Sequence, residues 1–141
     1  MATFNKFNQF VEDVAEKVHN LGADTLKVML TLTAPVATNS IKADLTEIAA
    51  GNGYPAGGTA TTITSSVQTS GTYKLVITDV VFTASGGSIA DFRYIVLYND
   101  TPTAPADPLI GYYDYGATVT VTNGNSFTTD FSAANGVIQI V

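Results

Sequence analysis

The chain has 141 residues, which is enough for one domain but small for two. It carries a formal net charge of −6, and its six basic residues are scattered, which argues against nucleic acid as a direct partner. It contains no cysteine, so a disulfide framework and a thiolate zinc site are excluded. Only 13% of the residues are charged. This low fraction fits either an assembly subunit with buried interfaces or a β-domain whose surface consists of Thr, Ser and Asn.

Apolar side chains recur every three or four residues at the start of the chain, where the sequence reads Phe4, Phe7, Val11, Val14, Val18 and Leu21. This spacing predicts an amphipathic α-helix from Thr3 or Asn5 to about Asn20, ended by Gly22, with the acidic side chains on its outer face. Residues 1–22 are therefore predicted to form an N-terminal helical element ahead of a domain at 23–141.

The apolar stripe of this helix must be buried, either as a lid on its own domain or against a partner. A short helix standing alone is marginal, and a small β-domain has little spare core to offer it. We expect an assembly or docking role, with an interface made by Phe4, Phe7, Val11, Val14 and Val18.

From residue 26 onward the pattern changes to alternation and short apolar runs between glycine-rich turns, which is typical of an all-β domain. The predicted strands cover residues 26–33, 61–68 (at an edge), 73–82, 92–98 (central and buried on both faces), 109–115, 118–122, 126–131 and 137–141. We expect an antiparallel β-sandwich or jelly-roll-like domain. Its predicted core comprises Val28, Leu30, Leu75, Ile77, Phe82, Ile95, Leu97, Phe127 and Phe131.

The connections are also predicted from residue type. The Asn-Gly pairs at 123–124 and 135–136 predict tight hairpin turns, and residues 99–108 hold three prolines in a loop or rigid arm. Residues 51–58 predict a flexible glycine-rich surface loop, since they lack the Lys-Ser/Thr of a phosphate-binding loop. Residues 36–50 form a short helix or an irregular arm.

No sequence motif indicates a particular enzymatic reaction. His19 is the only histidine, and its position near the predicted helix end favours interaction with the helix dipole over catalysis or metal binding. Asp100, Asp107 and Asp114 are interpreted as turn and surface carboxylates. The tyrosines at 94, 98, 112, 113 and 115 are expected to pack within the sheet, with a sugar-stacking platform as the alternative. We therefore predict no enzyme and no catalytic, cofactor-binding or metal-ligating residues.

Three stretches resemble a group of small virion proteins of tailed bacteriophages. They are ATFNKF at residues 2–7 with the following helix, IAAGNGY at 48–54 and LIGYYDYG at 109–116. The resemblance covers nearly the whole chain and implies a capsid decoration (cement) protein on the outside of the assembled head. It further implies the major capsid protein as partner and self-association, expected as a homotrimer. It offers no catalytic residues to carry over.

Two rival functions stay open. A tail or fibre module that binds a host-surface glycan would require an exposed tyrosine platform, and a wall hydrolase would require the three aspartates to converge in a cleft. The apolar runs are too short for a membrane span, and no signal peptide is recognised at the N-terminus. We expect synthesis in the host cytoplasm and a place on the capsid exterior of the virion.

Overall fold

The structure, a computed structural model, describes residues 2–141. It is mainly β, with one short α-helix and one turn of 3-10 helix at Lys42–Asp44. The helix α1 spans Phe10–Ala15, and the strands are β1 (Phe4–Lys6), β2 (Leu26–Thr31), β3 (Thr59–Ala60), β4 (Ile63–Thr69), β5 (Thr72–Ile77), β6 (Val80–Thr83), β7 (Phe92–Asn99), β8 (Leu109–Val119), β9 (Ser126–Thr129) and β10 (Ile138–Ile140).

The strands form three antiparallel sheets. The largest has the order β1-β8-β7-β2-β3, and the others have the orders β10-β5-β4 and β6-β9. As predicted, β7 is central and the strand after residue 61 lies at an edge. The predicted segment 73–82 divides at Asp79 into β5 and β6, which belong to different sheets, while the two strands predicted at 109–122 are one long strand, β8.

One large apolar core joins all three sheets in a sandwich-like arrangement, with side chains from β2, β5, β6, β7, β8 and β10. The predicted core is confirmed, except that Phe127 is only half-buried at its rim. Leu32 breaks the alternation of β2 because the strand ends at Thr31, which leaves the Leu32 side chain 48% exposed. The fold class predicted from the sequence is therefore confirmed.

A second, smaller core lies on the other face of the five-stranded sheet. Phe7, Met29, Val96, Tyr98 and Leu109 are fully or almost fully buried there, covered in part by Leu45 from the arm at residues 36–50. That arm is irregular apart from the 3-10 turn. Because apolar side chains lie on both of its faces, β7 is buried on both sides, as its unbroken apolar sequence predicted.

The N-terminal helix is much shorter than predicted. Phe4–Lys6 pairs with β8 as an edge strand, and only Phe10–Ala15 is helical. Phe4 in β1 and Phe10 in α1 both pack on the main core, whereas Phe7, directly after β1, enters the second core on the opposite face of the large sheet. A spacing of three residues fits a helical stripe, but the backbone hydrogen bonds available along β8 favour the extended form.

The two Asn-Gly turns are not hairpins between sequential strands. Strand β9 pairs with β6 instead of β8, and β10 pairs with β5 instead of β9. Each turn therefore carries the chain from one sheet to another. The local turn chemistry was interpreted correctly, but the strands that follow the turns pair with β6 and β5, which lie far away in the sequence.

The glycine-rich segment 51–58 lies mostly at the surface, as predicted, and its buried residues Tyr54 and Gly58 hold it against the sandwich. Tyr54 is buried, and its hydroxyl accepts a hydrogen bond from the Leu30 N–H (3.1 Å) and donates one to the Glu47 carboxylate (2.7 Å). At Gly53 and Gly58, both with positive φ, a Cβ would overlap the backbone carbonyls of the strands beneath. Glycine is required here by close backbone approach, not by mobility.

Candidate functional site

An aromatic groove opens between β8 and the segment that runs from β9 to Phe131. Strand β8 contributes Tyr113 and Tyr115, and the opposite wall contributes Phe127 and Phe131, in a cavity of about 350 Å³. The Tyr115 and Phe127 rings lie 5.8 Å apart at 72°, and the Tyr113 and Phe131 rings 6.0 Å apart at 49°. We call this surface, with Ile95 at its floor and Asp130 at its rim, the aromatic groove.

Charge near the aromatic groove is negative. Asp130 is exposed, and it forms none of the salt bridges found within residues 2–141. The adjacent Phe131 N–H donates to the Asp79 carboxylate at 2.8 Å, which brings a second acidic side chain to this segment. Burial raises the pKa of Tyr113 to about 12, so its phenol stays neutral at physiological pH.

The five tyrosines of the alternative sugar platform lie on both faces of the large sheet and do not form one surface. Tyr112 lies on the opposite face from the groove, against Phe7 (5.3 Å between ring centroids) and Tyr94 (6.4 Å). Tyr98 is buried, and its hydroxyl donates to the Gly57 carbonyl at 2.6 Å. Only Tyr113 and Tyr115 reach the groove. Its other two rings, Phe127 and Phe131, were assigned to the core from their alternation, and no sequence signal marks them as groove residues.

The three aspartates do not converge. Asp100 pairs with Lys27 at 2.9 Å, whereas Asp114 forms a two-pronged ion pair with Arg93 (2.7 and 2.9 Å), which lowers the pKa of the Asp114 carboxyl. The β7–β8 register places Asp114 opposite Tyr94, at the far end of β7 from Asp100. Within residues 2–141 no three His, Asp or Glu side chains are grouped so as to hold a metal ion.

The predicted interface residues are dispersed. Phe7 is completely buried within its own chain, and Phe4 and Val14 are half-buried against the main core. Val18 is also half-buried, beyond the end of the helix. Val11 alone of the five is well exposed, at 53%. The stripe therefore serves mainly as a cover for its own domain, and Val11 remains available to a partner.

A second groove runs between α1 and the C-terminal strand. It has a volume of about 480 Å³, and Val11 and Val14 face Ile138 and Ile140 across it. Ile140 is 42% exposed, and Val141 is almost fully exposed. Strand β10 lies at the end of its sheet and pairs with β5 alone. We call this surface the α1–β10 groove.

A buried polar cluster lies behind α1. The Asn99 Nδ2 amide donates to the Asp24 carboxylate at 2.6 Å and lies 3.1 Å from His19 Nδ1, so Nδ1 is the acceptor and the ring proton is on Nε2. His19 Nε2 is 3.9 Å from Asp13 Oδ2, and neither atom has a hydrogen-bond partner among residues 2–141. Both predictions for this region are wrong: Asp13 is buried instead of on the outer face, and His19 lies beyond the helix end.

Comparison of the chain with models of known protein families, with characterised proteins and with solved structures gave no match. In residues 2–141 no helix has the length and apolar character needed to cross a membrane. The aromatic groove and the α1–β10 groove are therefore the features of the molecule that point to a function.

Proposed function

We propose that the protein is a non-enzymatic structural component of a tailed-bacteriophage virion, which binds the outside of the capsid and stabilises it as a decoration protein. The phage context comes from the resemblance of residues 2–7, 48–54 and 109–116 to small virion proteins. The binding role is supported by one structural observation above the others, the α1–β10 groove with its exposed apolar rim.

This groove has two properties of an association surface. Its rim exposes apolar side chains close together, at Val11, Ile140 and Val141, whereas other exposed apolar residues such as Val67 and Val81 lie on separate strands. Its strand β10 ends a sheet, and a strand with an unpaired edge can extend its sheet with a strand from another chain.

The proposed partners are the major capsid protein and further copies of this chain, as a homotrimer. The α1–β10 groove is small compared with a stable interface, which buries about 800 Å² on each partner. Contacts on both a neighbouring copy and the shell would supply the remaining area. The net charge of −6 makes the packaged nucleic acid an unsuitable direct ligand.

The test is a charge introduced into the groove. Val11→Asp and Ile140→Asp should abolish or strongly weaken co-sedimentation with parent-phage heads stripped of this protein, and should reduce the oligomer measured by analytical ultracentrifugation. Both side chains are exposed in the single chain, so the variants should remain folded, with wild-type circular dichroism.

Val67→Asp is the matched control, because Val67 and Val11 are equally exposed at 53%. It should bind heads and self-associate like the wild type. The proposal fails if the wild-type protein does not bind stripped heads, or if the two groove variants bind as well as the Val67→Asp control. If the wild type binds and the groove variants do not, cryo-electron microscopy of the decorated particle would locate the bound protein.

A further inference from the structure

The aromatic groove has no role in the proposed assembly function, and its geometry differs from that of a sugar platform. A platform that stacks on a pyranose ring presents a flat aromatic face. Here the ring pairs are inclined to each other by 72° and 49°, so that neither pair presents one flat aromatic face. At about 350 Å³, the groove has the volume of a small-ligand site.

The polar groups of the groove favour a cation. The faces of aromatic rings carry negative electrostatic potential, and they attract alkylated ammonium ions within about 6 Å of the ring centroid. The one ionised side chain lining the groove is Asp130, an acid that is in none of the ion pairs formed within residues 2–141. No lysine or arginine lines the groove in the part of the chain that the structure describes.

We propose that the aromatic groove binds a small alkylated ammonium group, held against Tyr115 and Phe127 and neutralised by the Asp130 carboxylate. The alkyl groups would displace water from the apolar floor at Ile95 and Phe131. The neutral phenol of Tyr113 adds no competing charge and offers a hydroxyl to a polar substituent of the ligand. This inference is independent of the proposed capsid role.

The experiment uses choline and its neutral isostere 3,3-dimethyl-1-butanol as probes, followed by amide chemical shifts of the full chain. Choline should produce saturable shifts confined to the lining of the groove, at residues 2, 95, 113–115 and 127–131. The isostere should bind about 2- to 30-fold more weakly, which is the range expected for loss of a cation–π interaction. Equal affinity for the two probes would overturn the proposal, because hydrophobic burial alone would then explain binding.

Two variants test the named groups. Tyr115→Leu keeps an apolar side chain but removes the π face, and Asp130→Asn keeps the shape but removes the charge. Each variant should lower the affinity for choline at least about twofold and leave the affinity for the isostere unchanged. Glu12→Gln, an exposed acid on α1, is the control for Asp130→Asn and should have no effect. Shifts outside the groove, absence of saturable choline binding, or binding of methyl glucoside in place of choline would each overturn the proposal.

Discussion

At the scale of single residues, His19 is a titratable side chain that folding buries in the protein interior. Burial lowers its pKa from 6.5, while the carboxylates of Asp13 and Asp24 act in the opposite direction. The Phe10 ring covers another side at 5.3 Å, and Asn99 occupies Nδ1. The imidazole is therefore held neutral by apolar packing, although an acid lies close to its ring proton.

We predict that acid weakens the fold through His19. Because the folded protein binds this proton less readily than the unfolded chain, the stability contribution is complete above pH 6.5 and is lost as the pH falls below that value. His19→Gln should flatten this part of the stability profile, measured by urea unfolding at a series of pH values. Parallel profiles for wild type and variant would contradict the prediction.

Two carboxyls provide an internal check on the assignment to His19. The pKa of Asp44 is lowered by backbone hydrogen bonds from Ser40 and Ile41, and that of Asp114 by Arg93. Their stabilising contributions are present above pH 3.8 and are lost as the pH falls further, so they act in a separate, more acidic window. His19→Gln should leave that window unchanged.

The Tyr54 hydroxyl leads to a second residue-scale prediction. Tyr54→Phe leaves the Leu30 N–H without its acceptor in the core and should lower the free energy of unfolding by about 1–3 kcal/mol. Tyr115→Phe is the matched control, since the Tyr115 side chain is 55% exposed, and it should change stability by less than about 0.5 kcal/mol. Equal losses in denaturant titrations of the two variants would refute the role of the buried hydroxyl.

At the scale of elements, the N-terminal segment contains a fully buried residue, Phe7, and a well exposed one, Val11, whose substitutions should affect stability differently. Phe7→Ala should lower the free energy of unfolding by about 3–5 kcal/mol, because Phe7 is completely buried in the second core. Val11→Ala should stay within about 0.5 kcal/mol of the wild type, because Val11 is exposed. Thermal or urea unfolding of the monomeric protein measures the change in the free energy of unfolding for both variants. A Phe7→Ala variant as stable as Val11→Ala would restore the alternative of a purely intermolecular stripe.

Elements whose signal is local in the sequence could be predicted, and elements that depend on a distant partner could not. Strands β2 and β7 were predicted because their alternation or unbroken apolar run is a local signal. The stretch from Phe4 to Val18 satisfies a helical spacing equally well, and only the free edge of β8, far away in the sequence, decides that residues 4–6 are extended. The pairing partners of β9 and β10 could not be predicted either, because β6 and β5 also lie far away in the sequence.

The candidate site was predictable only in part. Tyr113 and Tyr115 were expected to pack within the sheet, with an exposed platform as the alternative, and their partners Phe127 and Phe131 come from a segment that alternates like any core strand. Likewise Val11 was named, whereas Ile140 was not, because no local pattern connects α1 with the C-terminal strand. Grooves between elements depend on tertiary packing, which single-sequence periodicity does not contain.

At the scale of the whole molecule, the main core joins all three sheets and includes Phe10 and Leu21 from the N-terminal segment. We therefore predict one cooperative unfolding transition. Far-ultraviolet dichroism and tyrosine fluorescence should give coincident urea curves, because the N-terminal segment and all three sheets contribute side chains to the main core. An early transition confined to residues 1–22 would show instead that this segment is an independent element.

The pairing of β1 with β8 also determines when the chain can fold. Asn5 and Tyr112 are neighbours in the sheet but lie 107 residues apart in sequence. At a synthesis rate of roughly 5–20 residues per second, Asn5 is synthesised about 5–20 s before its partner Tyr112. During that interval Phe7 and Phe10 have no core to enter and are open to chaperones or to association with other nascent chains. The first residues synthesised are thus among the last to reach their final positions.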